Sequence, residues 1–145
     1  MGRFYIEVAD RHGGLSFDGL ALKRILRSVL AEAIGSAELS VAVVGDAEMQ
    51  QINRTFLGRD HPTDVMAFPY STEEDHLEGE VVINADEALR QAAQRSHGAE
   101  DELQLYAVHG VLHLLGYDDA DVEQRKRMHE RELSILAAWG RALDS

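Results

Sequence analysis

The chain contains no cysteine, which removes a disulfide framework, a thiolate metal site and a cysteine nucleophile in one step. Any metal must therefore be held by histidine, aspartate or glutamate. Long apolar runs are missing too, and no stretch approaches the roughly 18 residues of a spanning helix. The segment Arg3 to Asp10 has charges interspersed where a signal peptide is continuously apolar. Gly2 follows Met1, but Ile6 stands where an acylation motif requires serine or threonine. A soluble, cytoplasmic chain with no membrane partner is expected. Basic residues are few: 14 Lys+Arg against 26 Asp+Glu give a formal charge of −12. A sequence-independent nucleic-acid binder normally carries the opposite balance. Repeats, low-complexity tracts and linkers are also absent. What remains is 145 residues, 45% hydrophobic and 28% charged, a composition that fits one globular domain over residues 1–145 with a core to bury.

Periodicity outlines the elements. Phe4, Ile6 and Val8 alternate with Tyr5 and Glu7, which predicts a half-buried strand from Arg3 to Val8. Gly13-Gly14 breaks it. Ser16 or Asp18 caps a helix to about Ile34, with Leu22, Ile25, Leu26, Val29, Leu30 and Ala33 at helical spacing. Leu39–Val44 reads as a second strand, and Asp46 as the cap of a helix with Met49, Ile52 and Phe56 on one side. Gly58–Asp64 is a polar loop, Val65–Tyr70 a third strand and Val81–Ile83 a fourth. The acidic run between them, Ser71–Glu80, reads as an exposed connection. Asn84 or Asp86 caps a helix to about Ser96; Glu100–Leu115 and Asp121 to about Ala142 are the last two. This order predicts one α/β or α+β domain with an about four-stranded mixed sheet.

The chemically informative segment is Val108–Ala120, VHGVLHLLGYDDA. His109 and His113 stand four apart on a predicted helix, so both imidazoles project from one face and can ligate one ion from consecutive turns. A helical histidine pair alone is common in amphipathic helices. Here Gly116 can end the helix with positive φ, and the reversed chain brings Asp119, or its neighbour Asp118, back toward the pair. The pattern H-x3-H-x2-G-x2-D supplies three protein ligands and leaves a coordination position open. The zincin peptidase motif requires glutamate directly after the first histidine, and this chain has Gly110. Peptide hydrolysis by that route is disfavoured.

HGVLHLLGYDD closely resembles the metal-binding signature of the YbeY family of single-strand endoribonucleases, usually written H-G-x-L-H-L-x-G-Y-D-H. NRTFLGRDHPTDVMAFP, Asn53 to Pro69, resembles that family's second signature, N-x-x-Y-R-x-K-D-x-P-T-D-V-L-S-F-P. Gly79-Glu80-Val81-Val82-Ile83 is similar to a third, shorter one. The resemblance spans essentially the whole chain. It implies a four-stranded sheet surrounded by helices, with a zincin-like helix carrying the histidine pair and one Zn2+ in a cleft. It also implies cleavage of single-stranded rRNA during maturation of the small-subunit 3′ end, and a part in ribosome quality control. Carried over, His109 and His113 take the first two ligand positions, and the third, histidine in the family, falls on Asp119. A carboxylate is a competent ligand, yet it offsets one unit of the ion's charge and widens the choice of metal toward Fe or Mn.

Two further positions depart from the family. Leu57, behind Phe56, stands where the family has an arginine that handles RNA phosphate, and Ala67 replaces a serine. Arg59 is the expected replacement at the reacting phosphate, and Arg54, Arg59 and His61 form the expected substrate-binding rim. Lys23, Arg24 and Arg27 are a second basic group; Arg125, Lys126, Arg127 and Arg131 are interleaved with glutamates and read as intrahelical ion pairs. Asp118 is read either as a carboxylate orienting a ligand histidine or as a turn acid. Tyr117 is expected to pack against the sheet, His129 to be solvent-exposed and Trp139 to be core or a partner contact. Exposed charges more than about 8–10 Å apart are screened at physiological salt, so a local rim can act despite −12, with rRNA delivered by the small subunit or an assembly factor. DNA is not an expected partner. The competing readings are a ribosome- or assembly-factor-binding module whose metal site is structural or degraded, and a metal hydrolase with another substrate.

Overall fold

The computed structural model describes residues 3–140. The acylation reading at Met1-Gly2 and the expected helix end at Ala142 lie outside these. Strand β1 (Arg3–Asp10) leads through a glycine loop to helix α1 (Gly19–Ala33). Asp18 caps α1, accepting from the backbone N–H of Leu20 and Ala21. Its stripe Leu22, Ile25, Leu26, Val29 and Leu30 is buried as periodicity predicts, whereas Ala33 at its end is exposed. Strand β2 (Ser36–Val44) and helix α2 (Asp46–Leu57) follow, then β3 (Val65–Glu73), β4 (His76–Asn84), α3 (Ala85–Gln94), α4 (Ala99–Leu114) and α5 (Val122–Ala138). The sheet is mixed and open, in the order β1-β2-β4-β3, with β3 antiparallel at one edge.

Two expectations are corrected. The acidic run is not a loop: β3 continues to Glu73 and β4 begins at His76, with Glu73 paired to His76. Leu77, Gly79, Val81 and Ile83 are buried while His76, Glu78 and Glu80 lie between them, less buried. The acids belong to a period-2 pattern whose other face is apolar. Asp46 is not the cap of α2 either. Gly45 is, without a side-chain bond, and the Asp46 carboxylate is held by Asn84 at 2.8 Å and by Arg90 at 2.6 and 2.8 Å.

The helices α1, α4 and α5 and the inward residues of the sheet form the main core, while α2 packs Met49 on the opposite face against Ala42, Val44, Met66 and Val82. Helix α4 is buried along most of its length, and it approaches the sheet through Gly110. A Cβ there would lie 2.6 Å from Val81 Cγ1 and 3.2 Å from Val65 Cγ2. This close approach seats the histidine-bearing turns of α4 beside β3 and β4. It also leaves no space for a glutamate at position 110.

Candidate metal centre and groove

The last turns of α4 present His109 and His113, their ring centroids 4.7 Å apart at 77°. The helix ends in a Schellman arrangement: Gly116 N–H donates to the His113 carbonyl and Tyr117 N–H to the Leu112 carbonyl, both at 3.0 Å. Gly116 sits at φ 101, a region closed to most side chains. The chain then turns, and the Asp118 carboxylate accepts from the backbone N–H of Asp119 at 2.7 Å and of Ala120 at 3.1 Å. Asp119 Oδ2 comes to 3.5 Å from His113 Nε2. One ligand atom each from His109, His113 and Asp119 lies within 4.8 Å of the others. Two imidazoles and a carboxylate at that separation match a three-ligand set for Zn2+ or another divalent first-row metal.

Beneath His109 lies one of the α5 glutamates expected to form intrahelical ion pairs with the neighbouring arginines. Glu132, on α5, is only 4% exposed; its Oε2 is hydrogen-bonded to His109 Nδ1, and its Oε1 lies 3.4 Å from His129 Nδ1. His129 is thus half exposed but engaged. Burial works to lower the His109 pKa, but the hydrogen bond and charge of Glu132, with the charges of Asp64 and Asp119, hold it above the ordinary imidazole value. One signal in the sequence marks Glu132: it interrupts the buried stripe Met128, Ile135, Leu136 of α5 at helical spacing.

A groove of about 560 Å³ runs from His113 along the edge strand, lined by Val65–Pro69, Asn53, Leu57, Arg59 and His61. Its loop wall is built from α2, which ends at Gly58 with φ 69. Buried Asn53 then pins the loop by donating to the His61 carbonyl at 2.8 Å. The expected rim divides. Arg59 and His61 face the groove with His113, and Arg59 has no ion-pair partner among the described residues. Arg54 does not line it; its guanidinium is held by Asp60 at 2.5 and 2.9 Å. Phe56, expected on the buried face of α2, is 66% exposed and packs its ring on Phe68 at 5.4 Å. Tyr117 packs at the margin of the main core. Trp139 is partly exposed, its Nε1 donating to Ser28 Oγ at 3.3 Å.

Fold and site together define a class: a mixed α/β sheet protein with a His-His-Asp centre at the head of a groove along its edge strand. The comparisons narrow the class to a family. The model of the family described as Endoribonuclease YbeY matches residues 9–140. Relatives named Endoribonuclease YbeY include one from Parafrankia sp., 40% identical and covering 93% of this chain and 94% of the relative. Another, from Chlorobium phaeovibrioides, is 43% identical, covering 86% and 84%; a third, from Bacillus subtilis, is 35% identical, covering 93% and 95%. The solution structure of TM1509 from Thermotoga maritima is similar with a TM-score of 0.63 and 25% identity, covering 92% of this chain and 91% of that one. The chain belongs to the YbeY family. Among the described residues no helix is long and apolar enough to cross a membrane.

Proposed function

We propose that this protein is a metal-dependent endoribonuclease that cleaves single-stranded RNA in a cytoplasmic compartment. Its substrate is rRNA at the small-subunit 3′ end, with a further part in ribosome quality control. The observation that carries this reading is the convergence of His109, His113 and Asp119 at the end of a groove that also presents Arg59 and His61. The three ligands would hold one ion, Zn2+ first and Fe or Mn as alternatives because of the carboxylate. When bound, such an ion stabilises charge on a phosphoryl oxygen and acidifies water.

The remaining chemistry belongs to the chain. Arg59, which has no ion-pair partner among the described residues, binds and orients the phosphate, and His61 adds a second donor. Asp118 fixes the turn that carries Asp119 through its two backbone hydrogen bonds. The apolar wall of Leu57, Val65, Ala67 and Phe68 suits unstacked bases, which only a single strand offers.

The test is metal analysis of the purified protein together with cleavage of a single-stranded RNA by wild type, His113→Ala and Asp119→His. Cleavage should fall at least 100-fold in His113→Ala and rise in Asp119→His, where a neutral imidazole restores the ion's full charge. Undiminished cleavage by His113→Ala removes the metal mechanism. Metal binding without cleavage in wild type and Asp119→His would favour the reading as a ribosome-binding module with a structural ion.

A further inference from the structure

Glu132 is a carboxylate placed where the fold offers it little water. It lies among Met128, Ile135 and Leu136 on the buried stripe of α5, and a buried charge destabilises unless it is paired and hydrogen-bonded. Its partners are two imidazoles. Oε2 takes His109 Nδ1, and Oε1 faces His129 Nδ1 at 3.4 Å. Behind His109 this corner opens into a small cavity of about 260 Å³, shared with Asp64, Tyr106 and Glu102. His113 has no equivalent carboxylate behind it: among the described residues its one ion-pair contact is Asp119, on the ligand side, at 3.5 Å. The two histidines therefore differ. One is locked from behind, the other is steered only by the turn after the helix.

A carboxylate accepts and never donates when ionised. Against Glu132, neutral His109 must carry its proton on Nδ1, which leaves the Nε2 lone pair free to ligate. We infer that Glu132 is the positioning residue of the metal centre: it fixes the Nδ1–H tautomer and ring orientation of His109 and raises its basicity as a ligand. The inference rests on the metal reading proposed above. It assigns to α5, distant in sequence from the signature, a share of the centre's affinity. A histidine ligand's outer hydrogen bond is generally worth about 10- to 100-fold in metal affinity.

The experiment uses the full chain, metal-free and then titrated with Zn2+ against a chromophoric chelator, in wild type, Glu132→Gln and Glu132→Leu. Circular dichroism monitors folding. Long-range 1H–15N correlation, recorded at a pH above the end of the observed imidazole titration, reads the tautomer. His109 should be the Nδ1–H form in wild type and in Glu132→Gln, whose amide oxygen still accepts. It should lose that preference in Glu132→Leu. Zn2+ affinity should fall about 10- to 100-fold in Glu132→Leu and by a smaller factor in Glu132→Gln. An Nε2–H tautomer in wild type overturns the assignment, and because it is read on wild type it holds even if Glu132→Leu fails to fold. Wild-type affinity in a folded Glu132→Leu also overturns it while leaving the metal reading intact. A wild type that binds no Zn2+, Fe2+ or Mn2+ removes the metal reading and this assignment with it.

Discussion

At the residue scale, the groove differs from the family pattern most sharply at Leu57, 56% exposed on the wall beside Arg59. An apolar residue there contributes surface for a base but no charge for a phosphate. Leu57→Arg should therefore tighten binding of a single-stranded oligonucleotide, by about 2- to 5-fold, the worth of one partly exposed ion pair. It should also steepen the salt dependence of log Kd by about 0.7. Fluorescence anisotropy at several salt concentrations measures both, and a variant that changes neither would show that the strand does not pass Leu57. Asp119 is legible from sequence because all that positions it is local: the helical spacing of His109 and His113, the turn at Gly116 and the backbone bonds of Asp118. Glu132 is not. Its contact with His109 spans 23 positions and depends on how α5 rotates onto α4, which charge periodicity on α5 alone misreads.

At the element scale, α4 can set its histidine pair beside β3 and β4 only because Gly110 lets it lie on them. An added methyl at 2.6 Å from Val81 forces overpacking of about 1–3 kcal/mol, partly offset by the helix preference of alanine, about 1 kcal/mol. Gly110→Ala should lose up to about 2 kcal/mol in urea unfolding, and Gly110→Glu, which would recreate the peptidase motif, should lose more. An unchanged midpoint in both would mean the helix is free to lift. The start of α2 supports the groove differently. The Arg90 guanidinium beside Asp46, against the effect of burial and with help from Asn84, holds its carboxyl at about 2, below the ordinary 3.8. The folded value lies below the unfolded one, so the stabilisation is complete above pH 3.8 and disappears as pH falls through about 2. Asp46→Asn should therefore be less stable than wild type at pH 7, with the gap closing toward pH 2, as urea midpoints at both ends would record. Sequence periodicity placed α1, α3 and α4 well because each buries an uninterrupted apolar stripe or opens on a clear cap. It missed the early start of β4 because Glu78 and Glu80 mask the alternation of Leu77, Gly79 and Val81. It also misplaced Phe56, because α2 covers only Ala42, Val44, Met66 and Val82 and carries its last turn past them.

At the scale of the whole molecule, the charge of −12 sets how RNA reaches the groove. The uncovered face of the sheet aligns Glu38 with Glu78, and Glu7 with Ser40 and Glu80, so the open surface next to α2 repels a phosphate backbone. Arg54 is neutralised by Asp60, which leaves Arg59, and His61 when protonated, as the cations on the groove. Single strands release about 0.7 counterion per neutralised phosphate. One or two contacts thus predict a slope of log K against log salt of about −0.7 to −1.4, far shallower than for a dedicated RNA-binding domain. Affinity for a naked oligonucleotide should be weak and should change by less than about 10-fold between 50 and 200 mM KCl. Arg59→Ala should flatten the remaining slope. Tight binding with a steep slope would require a basic track longer than Arg59 and His61 provide, such as exposed Arg24 and Arg27 on α1 or Arg125, Lys126 and Arg127 on α5, and would reject entry through this groove. A shallow slope with productive cleavage means that the strand is brought to the protein already held, by the small subunit or a basic assembly factor. The acidic sheet face would then keep such a strand off the surface beside the line that leads from Arg59 to His113.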